Sequence, residues 1–412
     1  MKVLIIGSGG REHAIADAFG RAAETRQIYV SPGNAGIAQE YACIKLDGHS
    51  EIRDFCQKEE IDLVFIGPEQ PICEGLSDYL RKQGIWVFAP SQKAARLESS
   101  KAFAKYIMSK YDVPTARYSL VKSLAEAEIK IQEYGLPVVL KADGLAAGKG
   151  VIISDKYEEA HQAAAELFAT NAGATGILVE EYLKGWEVSL FAITDGNDYV
   201  TTLFAQDHKQ LYDGDKGSNT GGMGAFAPVK SAEEYRMAIE RDILKPVLKA
   251  MREEDCPYTG ILYMGLMITE SGAKVIEFNC RLGDPETQAL LPLLKTDITE
   301  ICKRVRDHKV AGIKLKWEAA VCVAVVLAAE GYPGQYLKGI ELSNLQAKSQ
   351  LFYAGVTSKN GKLESSGGRV LSLVAKGESI EEARDKVYSD LEKLAEPRLI
   401  YRKDIGLREN IL

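Results

Sequence analysis

The sequence has few of the features that mark secreted, membrane or metal-cluster proteins. Its seven cysteines are scattered with no Cys-x-x-Cys pair, so neither a zinc site nor a disulfide framework is indicated. The longest apolar run, 319–329, is too short to cross a bilayer. The four apolar residues after Lys2 lead straight into glycines, which is unlike a signal peptide. We therefore expect a reduced, cytoplasmic chain without a membrane segment.

The net charge limits the classes of function that fit the sequence, and the length limits the number of domains. A net charge of −7 over 412 residues argues against a nucleic-acid surface as the main function. The sequence shows no solenoid-length repeat and no low-complexity segment. The length predicts roughly two to four domains.

The stretch 275–288, VIEFNCRLGDPETQ, carries the densest chemistry. As a strand it places Glu277 and Asn279 on one face, where a carboxylate and a carboxamide suit a hard cation such as Mg²⁺. Arg281 follows, and its guanidinium is suited to binding an anion. Asp284 is placed to cap a helix that begins at the next residue, Pro285. The alternative interpretation is an edge strand with a polar outer face.

The N-terminal part alternates short apolar strands with helices, which predicts a parallel sheet with right-handed crossovers. Its first strand runs into a glycine-rich turn and a helix, a layout that directs backbone N–H groups at a phosphate. Because Glu12 stands where the dinucleotide fingerprint needs glycine, a single phosphate beside Arg11 fits better than a dinucleotide. Polar loops at 32–36 and 67–71 are expected at the same sheet edge, as a ligand site or as plain turns.

Two lysine-bearing elements follow. A basic helix presents Lys101 and Lys105 on one face, which is either functional or simply solvated. Strands 138–141 and 151–154 flank a glycine-rich loop whose spacing differs from that of a Walker A loop. We expect a flap that covers phosphates with backbone N–H groups, with Lys141 as a fixed charge. A mobile hairpin tip without function is the alternative.

The next segments predict an adenine site and a second lobe. After a strand at 177–181, the extended segment 182–187 can bond an adenine edge through its backbone, with Glu187 near the ribose hydroxyls. Residues 207–224 contain five glycines and many polar groups, and we interpret them as a long functional loop rather than a disordered one. A helix over 232–254 follows.

The remaining sequence predicts two paired strands and a small closing domain. The strands at 260–269 and 274–280 form a hairpin that delivers the stretch 275–288. Further strands and a helix are expected at 319–329, 352–357, 369–376 and 380–394. Basic residues near Arg369 and Arg402 either complete a sugar-phosphate site or are surface charges.

In combination, these parts resemble the ATP-grasp superfamily. The motifs GSGGREHA, SPGNAG, GPEQP, KADGLAAGKGV, GSNTGGMGA, EFNCRLGDPETQ, GGRV and RKDIG are similar, in this order, to those of the phosphoribosylamine–glycine ligase family. The likeness runs from residue 1 to about 408. Ser218, where the family usually has proline, and Ala89, where glycine is common, depart from the pattern without removing a reactive side chain.

The resemblance implies an ATP-dependent reaction of purine biosynthesis. The carboxylate of glycine attacks the γ-phosphate of ATP, and the amine of 5-phosphoribosylamine then displaces phosphate from glycyl phosphate. The implied cofactor is Mg²⁺ or Mn²⁺, with ATP as co-substrate. The implied partners are these small molecules alone, without nucleic acid or membrane, and we expect a monomer in the cytoplasm.

The resemblance also implies roles for individual residues. The residues expected to act in catalysis are Arg281, Lys141 and Asp213. Those expected to bind ATP are Lys105, Lys141, Gly148, Lys149, Gly150, Glu180, Glu181, Tyr182, Leu183 and Glu187. Those expected to bind glycine or phosphoribosylamine are Gly9, Gly10, Arg11, Glu12, Pro68, Glu69, Asp213, Asn219 and Thr220. The expected metal ligands are Glu277 and Asn279.

The implied fold is a multidomain mixture of α/β and α+β architecture. Residues 1–100 would form a Rossmann-like domain. Residues 101–322 would form a two-lobed ATP-grasp domain, with a lid lobe at about 115–190 and a second lobe at about 191–322. Residues 323–412 would form a small α+β closing domain.

Three rival functions stay open at the level of sequence. Another ATP-grasp ligase, such as a biotin-carboxylase-like or amino-acid ligase, would not need the turn at 7–12. A nucleotide-sensing protein without activity could lose Lys141, Glu277 or Asn279, yet all three are present. An NAD-dependent dehydrogenase is suggested only by the N-terminal glycines and is opposed by Glu12.

Overall fold

The computed structural model describes residues 1–145, 150–170, 175–342, 347–394 and 396–407. Four larger sheets organise the chain, and the strands of each come mainly from one stretch of sequence. The fold is a multidomain α/β and α+β architecture, as expected.

The N-terminal sheet is parallel, which confirms the sequence prediction. Its strands are β1 (Lys2–Gly7), β2 (Gln27–Pro32), β3 (Ala42–Cys43), β4 (Leu63–Ile66) and β5 (Val87–Phe88), in the order β3-β2-β1-β4-β5. The connecting helices are α1 (Gly10–Gly20), α2 (Gly48–Lys58), α3 (Glu69–Cys73) and α4 (Leu76–Lys82). Helices α3 and α4 are separate because Gly75 adopts a left-handed conformation between them, although the sequence pattern predicts one helix over 72–83.

A short helix and a basic helix lead into the lid, which is an antiparallel sheet with helices on it. The two leading helices are α5 (Arg96–Ser99) and α6 (Lys101–Lys110). The elements of the lid are β6 (Tyr118–Val121), α7 (Leu124–Tyr134), β7 (Val138–Ala142), β8 (Val151–Ser154), α8 (Tyr157–Phe168) and β9 (Ile177–Glu181). The order is β6-β9-β7-β8, and β7 pairs with β8 as the predicted hairpin. The lid packs around its own cluster of apolar side chains, including Leu140, Ala164 and Val179.

The second lobe is built on the long hairpin that ends in the predicted metal ligands, Glu277 and Asn279. Its strands are β10 (Trp186–Asp195), β11 (Tyr199–Thr201), β12 (Gln206–Asp207), β13 (Gln210–Tyr212), β14 (Lys216–Asn219), β15 (Gly224–Ala227), β16 (Thr259–Thr269) and β17 (Gly272–Asn279). Strands β11, β10, β16 and β17 form one sheet in that order.

Two predictions for this lobe are wrong. The segment 207–224 is not one long loop, because β13 and β14 pair as a hairpin whose turn is made by left-handed Gly214 and Asp215. The predicted helix over 232–254 is interrupted. Its pieces are a 3₁₀ turn (Lys230–Tyr235), α9 (Arg236–Ile239), a π turn (Glu240–Leu244) and α10 (Lys245–Glu253). Pro246, which has no backbone N–H, interrupts the helical ladder there.

The C-terminal strands complete a sheet that begins in the second lobe. The elements are α11 (Glu286–Leu290), α12 (Ile298–Arg306), β18 (Val321–Ala329), β19 (Gln350–Tyr353), β20 (Val356–Lys359), β21 (Lys362–Ser365), β22 (Arg369–Gly377), α13 (Ile380–Leu394) and β23 (Leu399–Ile400), with a 3₁₀ turn at Leu291–Leu293. The sheet order is β12-β15-β18-β22-β19, and β23 also pairs with β18. The expected boundary near residue 322 therefore falls inside a strand of a continuous sheet.

The predicted strand over 352–357 is also wrong, since these residues belong to two strands. Strand β19 pairs with β22, whereas β20 pairs with β21 in a separate hairpin. Gly355 lies between them, and a Cβ there would be 2.5 Å from the Cα of Gly367. Leu4, Leu262 and Leu373 belong to one apolar core. This core joins the N-terminal sheet to the sheet that contains β16 and to the sheet that contains β22. Among the described residues, no helix has both the length and the apolar character needed to span a bilayer.

Candidate functional site

One cavity of about 410 Å³ lies where all the parts of the chain meet. The lid side contributes Lys105 and Lys141, and the end of β17 contributes Glu277 and Arg281. Arg11 reaches the cavity from helix α1, which follows the first strand of the N-terminal sheet. Residues that are far apart in the sequence are thus brought together around one space.

Two buried lysines share one carboxylate on the lid side of the cavity. Lys105 Nζ and Lys141 Nζ lie 3.0 and 3.1 Å from the same oxygen, Glu180 Oε2. Lys141 also donates to the carbonyl of Ile276 at 3.2 Å, and Lys105 donates to Thr115 Oγ1 at 2.9 Å. Burial lowers the pKa of Lys105 to about 8, although Glu180 opposes that shift. This pair is a concentrated positive charge aimed at the cavity.

Glu277 and Asn279 form the acidic wall. Within the described part of the chain, no side chain bonds to the Glu277 carboxylate or the Asn279 amide, and both line the cavity. Burial alone would raise the pKa of Glu277, but Lys209, Lys141 and Lys101 together lower it, so the carboxylate is ionised.

These two groups fit a hard divalent cation. No cluster of three His, Cys, Asp or Glu side chains suited to a metal occurs among the residues that the structure describes. A cation here would take one carboxylate and one amide oxygen from the protein and complete its shell with phosphate oxygens and water, as Mg²⁺ commonly does.

Arg281 is held between two carboxylates rather than left free. Its Nε donates to Glu69 Oε2 at 3.0 Å, and its Nη2 donates to Glu98 Oε1 at 3.2 Å. Although burial opposes the charge, Glu98 and Glu69 hold the pKa of Arg281 well above its usual value. Only 18% of the side chain is exposed, and that part faces the cavity.

The helix cap predicted at Asp284 is wrong by one residue. Pro285 is the residue before helix α11, and the Asp284 carboxylate instead accepts from Gln288 Nε2 at 2.8 Å. The same carboxylate lies 3.3 Å from Arg369 Nη2. Asp284 therefore joins the second lobe to the C-terminal strands.

The carboxylate of Glu12 is hydrogen-bonded within the N-terminal glycine-rich turn. Gly9 N donates to Glu12 Oε2 at 2.6 Å, and Arg11 Nε donates to Glu12 Oε1 at 2.6 Å. A Cβ on Gly7 or Gly67 would collide with the Glu12 side chain, so Glu12 fills the space between the two strand ends. Of the backbone N–H groups expected to face a single phosphate here, that of Gly9 is therefore already bound by Glu12.

The cavity wall includes some of the expected substrate residues and not others. Arg11 and Glu69 line it, whereas Gly9, Gly10, Glu12 and Pro68 do not. On the other side Thr220 lines it, whereas Asp213 and Asn219 do not. Asp213 is exposed at the turn of the β13–β14 hairpin and accepts the backbone N–H of Lys403 at 2.7 Å. The hairpin, which the sequence did not predict, carries Asp213 away from the cavity.

The adenine-type segment is partly as expected. Glu180 is paired in the lid sheet with Tyr118 and Val139, so its backbone is occupied and its carboxylate serves the lysines. Glu181 contacts Arg117 and Lys274 outside the cavity. Tyr182 and Leu183 form the predicted unpaired segment between β9 and β10, next to the cavity lining but not in it.

Four more expected ATP residues have different outcomes. Glu187 does not line the cavity. Its carboxylate accepts a hydrogen bond at 2.7 Å from Nζ of Lys209, and Lys209 does line the cavity. Gly150 is buried and lines the cavity. Gly148 and Lys149 lie outside the described residues.

Comparison with known proteins decides the family. Models of the phosphoribosylglycinamide synthetase N domain, ATP-grasp (A) domain and C domain match residues 1–98, 99–287 and 322–408. A phosphoribosylamine–glycine ligase from Caldanaerobacter subterraneus subsp. tengcongensis is 44% identical over 98% of this chain and 99% of its own length. The chain belongs to the phosphoribosylamine–glycine ligase family. It is an ATP-grasp carbon–nitrogen ligase and uses ATP with a divalent cation.

Other relatives agree with this family. A phosphoribosylamine–glycine ligase from Neisseria meningitidis serogroup B is 43% identical over 98% of this chain and 99% of its own. The crystal structure of the Thermotoga maritima ligase superposes with a TM-score of 0.86 at 35% identity, covering 98% of this chain and all of that one. A biotin carboxylase domain from Hydrogenobacter thermophilus, in complex with MgADP and bicarbonate, has a TM-score of 0.72 over 97% of this chain and 91% of that one. At 19% identity it shows the fold alone.

The cavity of this ligase also contains side chains that the sequence did not single out. They are Asp207, Lys209, Tyr263, Glu286 and Tyr332, and the pattern Asp-His-Lys at 207–209 was the only available signal. Burial raises the pKa of Asp207 to about 8, with Lys209 opposing the shift and Glu286 adding to it. Burial would lower the pKa of Lys209, but Glu187 and Asp207 hold it above its usual value.

The C-terminal strands close one side of the ligase cavity. Arg369 Nη1 donates to the carbonyls of Gly221 and Asp284, and Gly221 N donates to Tyr332 Oη at 3.0 Å. The basic residues expected to be either functional or merely exposed are thus divided. Arg369 lines the cavity, while Arg402 is buried and binds Asp404 and Asp215.

Proposed function

We propose that this chain joins glycine to 5-phospho-D-ribosylamine in the cavity described above, with release of ADP and phosphate, as a step of purine biosynthesis. One observation carries the proposal: the lysine pair on Glu180 and the free oxygens of Glu277 and Asn279 meet in one cavity. A site for a polyphosphate with its cation is what a carboxylate-activating ligase requires. Family membership supplies the two substrates.

In this proposal Lys105 and Lys141 hold ATP phosphates. Glu277 and Asn279 hold Mg²⁺ or Mn²⁺, which when bound would neutralise phosphate charge. The segment of Glu181, Tyr182 and Leu183 would bind the adenine beside the cavity, and Glu187 would bind the ribose. Gly148, Lys149 and Gly150 belong to the loop that would cover the phosphates.

The chemistry proceeds in two displacements. A carboxylate oxygen of glycine attacks the γ-phosphorus, the bond to the β–γ bridging oxygen breaks, and ADP leaves with that electron pair. The amine nitrogen of phosphoribosylamine then attacks the carbonyl carbon of glycyl phosphate, phosphate leaves, and the nitrogen loses a proton. Because an acyl phosphate is already activated, the protein acts mainly by positioning and by charge neutralisation, for which Arg281 is suited.

The substrate side is proposed at the wall formed by Arg11, Glu69 and Thr220. Gly9, Gly10, Glu12 and Pro68 would support this wall from behind. Asp213 and Asn219 would act on a substrate only after a shift of the β13–β14 hairpin, because the hairpin now directs them away from the cavity. Exclusion of water from this space would protect glycyl phosphate from hydrolysis.

The larger organisation is part of the same proposal. We assign residues 1–100 to an N-terminal domain, 101–322 to the ATP-grasp domain and 323–412 to a closing domain. Matches of N, ATP-grasp and C family models in this order support the division. A monomer in the cytoplasm that binds no nucleic acid is consistent with the net charge of −7.

Oxygen-labelled glycine tests the function and its intermediate together. When both carboxylate oxygens are ¹⁸O, attack on the γ-phosphorus transfers one label to the released phosphate. Glycinamide ribonucleotide with one labelled oxygen, formed alongside singly labelled phosphate, supports the proposal. Unlabelled phosphate, or no glycine-containing product, would overturn it.

A further inference from the structure

The strand that carries the proposed metal ligands ends in an unusual way. Strand β17 stops at Asn279, so the N–H of Cys280 has no partner in the sheet. Glu98 Oε2 accepts this N–H at 2.6 Å. Glu98 comes from α5, which precedes the lid and is remote from β17 in sequence. A carboxylate thus takes the place of the next sheet partner.

The second oxygen of the same carboxylate contacts the residue that follows. Arg281 Nη2 donates to Glu98 Oε1 at 3.2 Å. One side chain therefore holds the backbone between Asn279 and Arg281 and the guanidinium of Arg281. Only 8% of the Glu98 side chain is exposed, so packing leaves it little freedom.

We infer that Glu98 is a positioning residue for the ligase, one that orients Asn279 toward the cation and Arg281 toward the transferring phosphate. The inference rests on the proposed function for the roles of those two residues. Glu98 also lines the cavity, but in this role it acts through Asn279 and Arg281. It acts by fixing the backbone between them, as carboxylates that support metal ligands commonly do.

Glu69 separates the two contacts that Glu98 makes. Its carboxylate also holds Arg281, at 3.0 Å from Nε, but it has no bond to the Cys280 backbone. Loss of Glu69 therefore perturbs the guanidinium, and also the proposed substrate wall, but leaves the strand end in place, so Mn²⁺ binding measured without substrate is the readout that separates the two residues. Loss of Glu98 perturbs both the guanidinium and the strand end.

The experiment measures Mn²⁺ affinity of the full chain in complex with ADP, by water-proton relaxation, together with kcat and Tm. For Glu98→Ala we expect the Mn²⁺ dissociation constant to rise about tenfold and kcat to fall about a hundredfold. For Glu69→Gln we expect a lower kcat with an unchanged Mn²⁺ constant. Glu270→Ala, an exposed change at the far turn of the same hairpin, is the control and should change neither.

An isosteric variant keeps the test valid if Glu98→Ala does not fold. In Glu98→Gln the amide oxygen still accepts the Cys280 N–H, but the charge opposite Arg281 is lost. We expect a Mn²⁺ constant like that of the parent chain and a reduced kcat.

Two results would overturn the inference: parental kcat in Glu98→Gln, or equal Mn²⁺ constants in folded Glu98→Ala and the parent chain. The Mn²⁺ measurement needs only ADP, so failure of this inference is distinct from failure of the ligase reaction.

Discussion

The ammonium groups of Lys105 and Lys141 lie 3.0 and 3.1 Å from one and the same carboxylate oxygen, that of Glu180. Within the described chain the other oxygen, Glu180 Oε1, is buried without a hydrogen-bond partner. One negative charge thus holds two positive ones, which leaves a net positive charge beside the cavity. A phosphate that enters would supply the missing counter-charge.

Lys141→Met should weaken nucleotide binding. The change removes a buried charge at the phosphate end, and a charge-assisted hydrogen bond contributes about 2 kcal/mol. Calorimetric titration with ADP is expected to show a dissociation constant raised about thirtyfold. Lys122→Met, an exposed change on the same lid, should bind like the parent chain. Equal affinities for all three proteins would refute the phosphate role of Lys141.

Glu180→Gln should lower the free energy of unfolding. Both lysines would lose their counter-charge while remaining buried, and breaking a buried ion pair in this way costs about 3 kcal/mol. Denaturant unfolding measures the change. Glu133→Gln, which breaks the exposed pair with Lys130, is the matched control and should cost less than about 1 kcal/mol. Similar losses in both variants would contradict the buried-pair interpretation.

Nucleotide affinity should fall as the pH rises above about 8. Lys105, with a pKa of about 8, is charged below that value and neutral above it, so its attraction for phosphate is lost on the alkaline side. Asp207, also with a pKa of about 8, becomes negative over the same range and adds repulsion. ADP titrations between about pH 7 and 9.5 test this.

Two variants separate the contributions to that pH profile. In Lys105→Arg the charge persists, so the decline should be shallower, and Asp207→Asn should remove the part due to the carboxylate. Bound phosphate raises the pKa of Lys105, so the decline in the complex extends above the value for the free chain. A flat profile for the parent chain would be inconsistent with both assignments.

Glu277→Gln should raise the metal requirement and depress turnover while the fold survives. The amide keeps an oxygen ligand but loses the charge that attracts the cation. Turnover as a function of Mg²⁺ should show an activation constant raised about tenfold and a kcat lowered about a hundredfold. Near-normal turnover at ordinary Mg²⁺ would rule out the metal role.

Local pattern accounts for the parts of the site that could be predicted. Alternation along β17 placed Glu277 and Asn279 on the cavity side, and the spacing of Lys101 and Lys105 on α6 was read directly from the helical repeat. The β7–β8 hairpin also has the predicted strands. These features depend on residues within a few positions of one another, so the sequence contains the needed information.

The features that were missed depend on distant contacts. Glu12 fills the glycine turn because Gly67, from another strand, leaves room for it. Asp213 leaves the cavity because its carboxylate binds the backbone near the C-terminus at Lys403. Asp207 enters it from the short strand β12, which pairs with β15, and Lys209 enters it from the link between β12 and β13. No local period shows where such residues meet.

The most direct test of the ligase reaction is ADP release by the purified chain with Mg²⁺-ATP, glycine and freshly generated phosphoribosylamine, with each omitted in turn. We expect release that requires all three. Release with ATP and glycine alone would mean that glycyl phosphate forms but is lost to water. Release that does not depend on glycine, or none at all by a chain that binds ATP, would contradict the central claim.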